Sequence, residues 1–376
     1  MKKTIYKYFF YEFLRYFTIT LFALAAVVWT IQAVNYLDLI TEDGHAFAVY
    51  FLYSLLSLSK ILTKLFPFCF LIAAVLTIIK LEKDNELMVF WTSGLNKIHI
   101  VNLLLRISLL IMFVQLLLTN IINPTLLNFS RSLLKNSELQ FLPSLLKEKQ
   151  FNDTVEKLTI FVGKKGKNKT YENIFIRDDG RILSKIGDRS STIIAKSGYL
   201  NNNEKSLILY NGIIQRLEED GTINVFKFDK TKLNLSGIST KGITESKMQE
   251  TSTLKILKCM KNNYVSIDMH NCSRSKKSFM DTKIEINKRF GTPIYIPLIA
   301  LICSFILASR KDKKIYNYKK YIYFFIGFII LVSAEIIVRY SGISWTHTGI
   351  YYLIPASIFP LIYFMLTKTF KYENLS

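Results

Sequence analysis

The sequence is short of the residues that build metal centres, disulfide scaffolds and acidic surfaces. Four cysteines in 376 residues exclude a disulfide-stapled fold. The four histidines, His45, His99, His270 and His347, do not pair at metal-ligand spacing. Neither His-Glu-x-x-His nor Cys-x-x-Cys occurs. No metal and no cofactor are expected. A nucleotide-binding loop is missing too. The stretch Gly163-Lys-Lys-Gly166-Lys-Asn-Lys-Thr170 is only superficially like one, because the four-residue gap before Gly-Lys-Ser/Thr is absent. It reads as a solvated hairpin tip. No catalytic constellation appears, so an enzyme is not expected, and any ATP energy must come from another subunit. Acids are scarce as well: 28 Asp+Glu stand against 49 Lys+Arg, for a net charge of +21.

Apolar residues are abundant. They make up 50% of the chain, with 14% aromatic and 20% charged. So much Leu, Ile and Phe excludes disorder. A mean hydropathy of +0.25 is high for a chain in water, and 20% charge is high for one wholly in lipid. The average therefore splits into two unlike parts.

A bilayer core about 30 Å thick needs roughly 20 apolar residues as a helix. Six stretches come close: 17–34, 50–79, 98–122, 294–308, 321–338 and 349–367. The fourth is short unless it begins near Phe290. The first is longer than a signal core and has no small-residue cleavage site after it, so it reads as a retained anchor. About 170 residues without a membrane-length run separate the third stretch from the fourth. The layout predicts residues 1–122 as three spans, 123–289 as a polar domain, and 290–376 as three more spans.

Basic loops mark the cytoplasmic side. Lys2, Lys3, Lys7 and Arg15 precede the first span. Lys80, Lys83 and Lys97 follow the second, Arg310 to Lys320 the fourth, and Lys368 and Lys371 the sixth. With six crossings all these fall on one side, together with both termini. The loop after the first span carries Asp38, Glu42 and Asp43 and no Lys or Arg. The large domain then faces outward.

That domain reads as β-structure. Residues 158–162, 174–177, 191–195, 206–210 and 222–228 are rich in β-branched and aromatic residues. Asp179-Gly180, Asn211-Gly212 and Asp220-Gly221 read as hairpin turns between them. The spacing suggests an antiparallel sandwich or jelly roll. Residues 123–150 and pieces of 245–289 look helical. Apolar strand positions are either ordinary core or the lining of an acyl-chain groove. Cys259 and Cys272 both lie in the outward domain, as a disulfide or as buried free thiols. Cys69 and Cys303 read as small apolar residues within spans.

Two groups of residues stand out. Lys60 and Lys64 share a helical face at the outer end of the second span, and Glu335 and Arg339 do so at the outer end of the fifth. Ionisable groups at membrane depth are costly and point to function. Otherwise the long side chains snorkel to the interface, and Glu335 and Arg339 pair with each other. A cation cluster there suits an anionic lipid head group. The second group is the loop helix at residues 82–97. Glu82, Asp84 and Glu86 crowd its first turn, Leu87, Phe90 and Trp91 are apolar, and Gly94 is a plausible stop. It either lies on the membrane or pegs into a partner's groove.

Three spans, an outward β domain and three spans resemble the LptF/LptG family of lipopolysaccharide-export permeases. The matching pieces are Asp84-Asn-Glu86-Leu87 with Gly94, Ile194-Ala-Lys-Ser-Gly198 with Leu209-x-Asn211-Gly212, and Glu285-x-x-x-Arg289 running into Pro293. Gln32 to Asp38 is nearer the LptF side. The resemblance covers nearly the whole chain and is weakest over 245–280.

The resemblance implies an inner-membrane permease of a Gram-negative bacterium. It would form a heterodimer with a second such permease, on a dimer of an LptB-like cytoplasmic ATP-binding subunit. A single-span LptC-like protein would join them. Lipopolysaccharide would enter from the outer leaflet and leave through the β domains to a periplasmic bridge. The loop helix, with Glu82, Asp84, Glu86, Leu87, Phe90, Trp91 and Gly94, would couple to the ATPase. Family members use cations in the first span to contact lipid phosphates. Here that span has none, so the contact falls to Lys60, Lys64 or Arg339, beside Glu335, or to the partner. The competing readings are another envelope-lipid ABC permease, which usually has four spans, and a membrane sensor, which should carry a cytoplasmic output domain.

Overall fold

The computed structural model describes residues 2–41, 45–145, 148–152, 158–166, 170–179, 190–201, 206–217, 222–234, 247–261, 272, 275–308 and 316–373. His270 and the turn positions Gly180, Asp220 and Gly221 lie outside them. The chain forms two compact units. One comprises Met1–Thr30, Ser57–Asn128 and Ser246–Ser376; the other comprises Ile31–Leu56 and Phe129–Glu245.

Six long apolar helices dominate. They are α1 (Lys2–Asn35), α3 (Phe47–Lys83), α5 (Lys97–Leu117), α8 (Lys276–Ser304), α9 (Tyr316–Tyr340) and α10 (Trp345–Glu373). Each lies in a stretch long and apolar enough to cross a membrane. α5 runs through a π-helical turn (Leu118–Ile122) into α6 (Asn123–Leu145). Shorter helices are α2 (Asp38–Thr41), α4 (Glu86–Thr92) and α7 (Thr253–Lys261).

In the first unit α3 packs against α1. Its buried face offers Cys69, Ala73 and Ala74, small enough for neighbours to approach closely. Phe13 and Phe17 of α1 meet Phe70 and Phe66 of α3 with ring centroids 5.4 and 5.0 Å apart. α8 is buried along most of its apolar half. Gly291 lets Tyr351 of α10 come so close that an added Cβ would run into its ring.

Prolines within these helices leave carbonyls unbonded, because proline has no N–H for the carbonyl four residues earlier. Three such carbonyls are taken up by neighbouring side chains. Pro67 frees the Thr63 oxygen, which accepts from Gln115 Nε2 at 3.3 Å. Pro293 frees that of Arg289, which accepts from Thr119 Oγ1 at 3.1 Å. Pro355 frees that of Tyr351, which accepts from the Tyr295 hydroxyl at 2.9 Å. In lipid no water could satisfy them, so these bonds fix how the helices dock.

The second unit holds one antiparallel sheet. Its strands, β1 (Phe151–Asn152), β2 (Leu158–Lys165), β3 (Thr170–Asp178), β4 (Ser191–Asn201), β5 (Ser206–Leu217) and β6 (Ile223–Asn234), follow in sequential order. The expected antiparallel β domain is there, connected as a meander. Asn211-Gly212 is not a hairpin turn: it lies inside β5. The two flanking pairings, Ser197 with Tyr210 and Ala195 with Gly212, keep one register. Asn211 has φ 52°, and Asn173 of β3 has φ 53°. The registers align Gly163, Asn173, Lys196, Asn211 and Asp229 in one row across β2 to β6. Along this row the in-and-out alternation resets. A regular strand would put Tyr171 and Ile174 on opposite faces, yet both are buried, as are Ala195 and Leu200. Left-handed asparagines thus keep one face apolar on both sides of the kink. Asn-Gly supplies the same positive φ in a hairpin, which is why the sequence reads as a turn there.

Cys259 and Cys272 form a disulfide, closing a loop of 13 residues from α7 toward α8.

Candidate functional site

Two polar clusters lie on α3, one near its middle and one at its C-terminal end. Near the middle, Lys60 and Lys64 border a cavity of about 390 Å³. α3 supplies Lys60, Thr63, Lys64 and Phe68. α5 and the π turn supply Gln115 and Thr119; α8 supplies Glu285, Lys288 and Arg289. α9 adds Phe328, Leu331, Val332 and Glu335. Apolar and charged side chains line it together, which suits an amphiphile.

The charges around the cavity are not equivalent. Arg289 is buried and tied down. Its guanidinium meets Glu285 Oε1 at 2.8 Å and Thr253 Oγ1 at 2.8 Å, and donates to the backbone oxygens of Met248, Gln249 and Thr251. Lys288 pairs with Glu335 across α8 and α9. Lys60 and Lys64 differ. Among the described residues, neither ammonium has a hydrogen bond or a carboxylate within 4 Å. Gln115 is buried, and its Oε1 has no donor among the described residues.

The expected four thus separate. Lys60, Lys64 and Glu335 line one cavity. Arg339 is exposed and does not line it. Glu335 does not pair with Arg339, because packing of α9 on α8 brings Lys288 to it instead. Sequence reading missed Lys288, Gln115 and Thr119. The signal for two of them was Pro67 and Pro293, whose freed carbonyls call for donors at the facing positions of α5 and the π turn.

The other cluster is at the far end of α3. Lys80 Nζ lies 3.2 Å from Glu86, 3.6 Å from Asp84 and 3.7 Å from the buried Glu12 of α1. The Tyr8 hydroxyl donates to Glu86 at 2.9 Å. These contacts hold α4 to the bundle. Asn85 starts the helix in a left-handed conformation (φ 59°), and Gly94 (φ 80°) ends the turn after it. Leu87 and Phe90 are buried in the first unit's core, and Trp91 packs against it. The apolar side chains that α4 presents outward are Met88 and Val89, at 63% and 62% exposure. Glu82 is half-buried and Asp84 exposed. A seven-residue helix with apolar residues all round gives no sequence signal for which face turns in.

Residues 7–369 match the family described as lipopolysaccharide export system permease LptF/LptG. The uncharacterized protein RP871 of Rickettsia prowazekii (strain Madrid E) is 27% identical over 236 residues, which is 62% of this chain and 64% of that protein. The match therefore spans less than two thirds of the relative's length. With six helices of membrane-crossing length and a family match over nearly its whole extent, the chain is a multi-pass inner-membrane protein of the LptF/LptG permease family.

Proposed function

We propose that this chain is a permease subunit of an ABC transporter that extracts lipopolysaccharide from the inner membrane and passes it to a periplasmic bridge. ATP would be hydrolysed by a separate cytoplasmic subunit. The observation that carries this reading is the cavity where Lys60 and Lys64, with no carboxylate within 4 Å of either ammonium among the described residues, stand among the apolar side chains Phe68, Phe328, Leu331 and Val332. A phosphorylated glycolipid matches it group for group. Lys60 and Lys64 take the phosphate, the Gln115 oxygen accepts from a sugar hydroxyl, and Phe68, Phe328, Leu331 and Val332 meet apolar substituents. Charge-assisted bonds of this kind contribute about 1.5–3 kcal/mol each in a partly buried site.

Coupling falls to α4. Its inward residues Leu87 and Phe90 and its ion pair through Glu86 set its pose. Asp84, Met88 and Val89 would face the ATP-binding subunit. In this reading the six spans place both termini in the cytoplasm, and the sheet and the disulfide lie on the oxidising periplasmic side. A second permease and a single-span accessory protein complete the assembly.

Purification of the tagged chain from native membranes in mild detergent tests this. The expected companions are an ATP-binding subunit, a second permease and lipopolysaccharide. Recovery of the chain as a homo-oligomer, with neither protein and no phosphorylated glycolipid, would sink the proposal.

A further inference from the structure

α7 has no assigned role in transport, and its exposed face is unusual. Ile256 and Cys259 point inward and are buried. Leu254 and Leu257, one helical turn apart, are 72% and 44% exposed. Lys255, Lys258 and Lys261 are exposed too, and the helix carries no acid. Exposed leucines beside lysines, on a helix too short to span, are the pattern of a segment lying in a bilayer interface.

α7 is tied to two segments of membrane-crossing length independently. Thr253, its first residue, donates to the backbone oxygen of Asn120 at 2.9 Å and accepts from Arg289 Nη1 at 2.8 Å. Asn120, in the π turn after α5, stands near the end of the apolar run 98–122. Arg289 stands just before the apolar run of α8, which begins near Phe290. Both ties therefore hold Thr253 at the level where hydrocarbon gives way to head groups. The disulfide from Cys259 to Cys272 holds the other end of α7 to the chain leading into α8.

We propose that α7 is an interfacial helix, with Leu254 and Leu257 among the acyl chains and Lys255, Lys258 and Lys261 on the phosphates of an anionic lipid surface. Its N-terminal lead-in brings Gln249 to the cavity wall. α7 would thus sit at the cavity's rim and hold that rim at the lipid surface. The lysines would snorkel around the two leucines. Anionic head groups attract such residues electrostatically.

Quenching by brominated lipid tests this. Leu254→Trp and Leu257→Trp are each placed in the full chain in phosphatidylglycerol nanodiscs whose acyl chains carry bromine. The added emission is taken as the difference from the parent, which keeps Trp29, Trp91 and Trp345. Lys232→Trp on β6 is the water-exposed control. At least twofold quenching is expected at 254 and 257, with none at 232. Exchange of phosphatidylglycerol for phosphatidylcholine, or 1 M salt, should weaken the quenching at 257, whereas inorganic phosphate should not. Emission at 254 and 257 that matches the control overturns the proposal. So does emission shielded from both bromine and aqueous acrylamide, which would mean that a protein partner covers the helix. The readout is independent of the export reading, because Lys64→Glu should leave it unchanged.

Discussion

Lys80 and Lys64 are the same residue type on one helix, yet their surroundings are opposite. Lys80 is shared among Glu12, Asp84 and Glu86. Lys64 faces a cavity without a carboxylate within 4 Å among the described residues. A saturated cation has done its electrostatic work inside the chain and holds elements together. An unsaturated one, exposed at a cavity wall like Lys64, keeps its charge open to whatever enters. It is stabilised only when something anionic arrives. Partner geometry, rather than charge or depth, separates structural from ligand-facing cations here.

Arg289 tests that contrast most severely, since it lines the same cavity as Lys64 but is saturated like Lys80. Arg289→Leu should strand Glu285 and release three backbone oxygens, at a cost of about 3–5 kcal/mol. Thermal unfolding in detergent should move down by many degrees, and limited proteolysis should cut near 247–253. A variant as stable as the parent would break the division between tied and open cations.

Lys80→Met comes next. Glu12 is buried, so losing its partner should cost about 2 kcal/mol, less than Arg289 because Lys80 itself is partly exposed. The damage should be local. Hydrogen exchange should rise in α4, and less ATP-binding subunit should co-purify. Glu86→Lys should have the same effect on co-purification, because it sets a second cation against Lys80. Undiminished recovery of that subunit in both variants would end the case for α4 as the coupling element.

Lys64→Glu should have the reverse profile. Stability should change by no more than about 0.5 kcal/mol, as for an exposed side chain with no partner to lose. Half-maximal stimulation of ATPase activity by lipopolysaccharide should need about tenfold more lipid, equivalent to about 1.4 kcal/mol. An unchanged lipid response would make Lys64 an interfacial snorkeller.

Much of this was legible in the sequence, but not the pairings. The six spans follow from hydropathy, though α8 begins well before its apolar run, at Lys276. That polar extension holds the Glu285–Arg289 clamp, so packing against α7 and the π turn, rather than lipid, makes it helical. The strands followed from β-branched runs until the kink row. There Asn211-Gly212 has one local signature for two structures, and only cross-strand alignment with Asn173 separates them. Glu335 was paired with its neighbour one turn away, because local spacing is all a sequence shows. Lys288 reaches it from another helix. On α4, Leu87 and Phe90 were as good candidates for outward contact as Met88 and Val89, since the helix is apolar on every side.

The smallest effect concerns a group that lies near neither end of the comparison. His45 is buried, and its Nδ1 lies 2.8 Å from Ser137 Oγ of α6, within the second unit. Burial lowers its pKa below the ordinary 6.5. The unfolded chain therefore takes up a proton near pH 6.5 that the folded chain resists. The neutral ring's contribution to stability is complete above that pH and is lost as pH falls through the lower folded value. The stability advantage of the parent over His45→Gln should thus shrink from pH 7.5 to pH 5, as read by differential scanning calorimetry. Lys64→Glu should show no such trend, because that difference lies in ligand response and not in the fold. An advantage that grew on acidification would mean that the folded state holds the ring protonated. His45 would then belong with the saturated cations, beside Lys80.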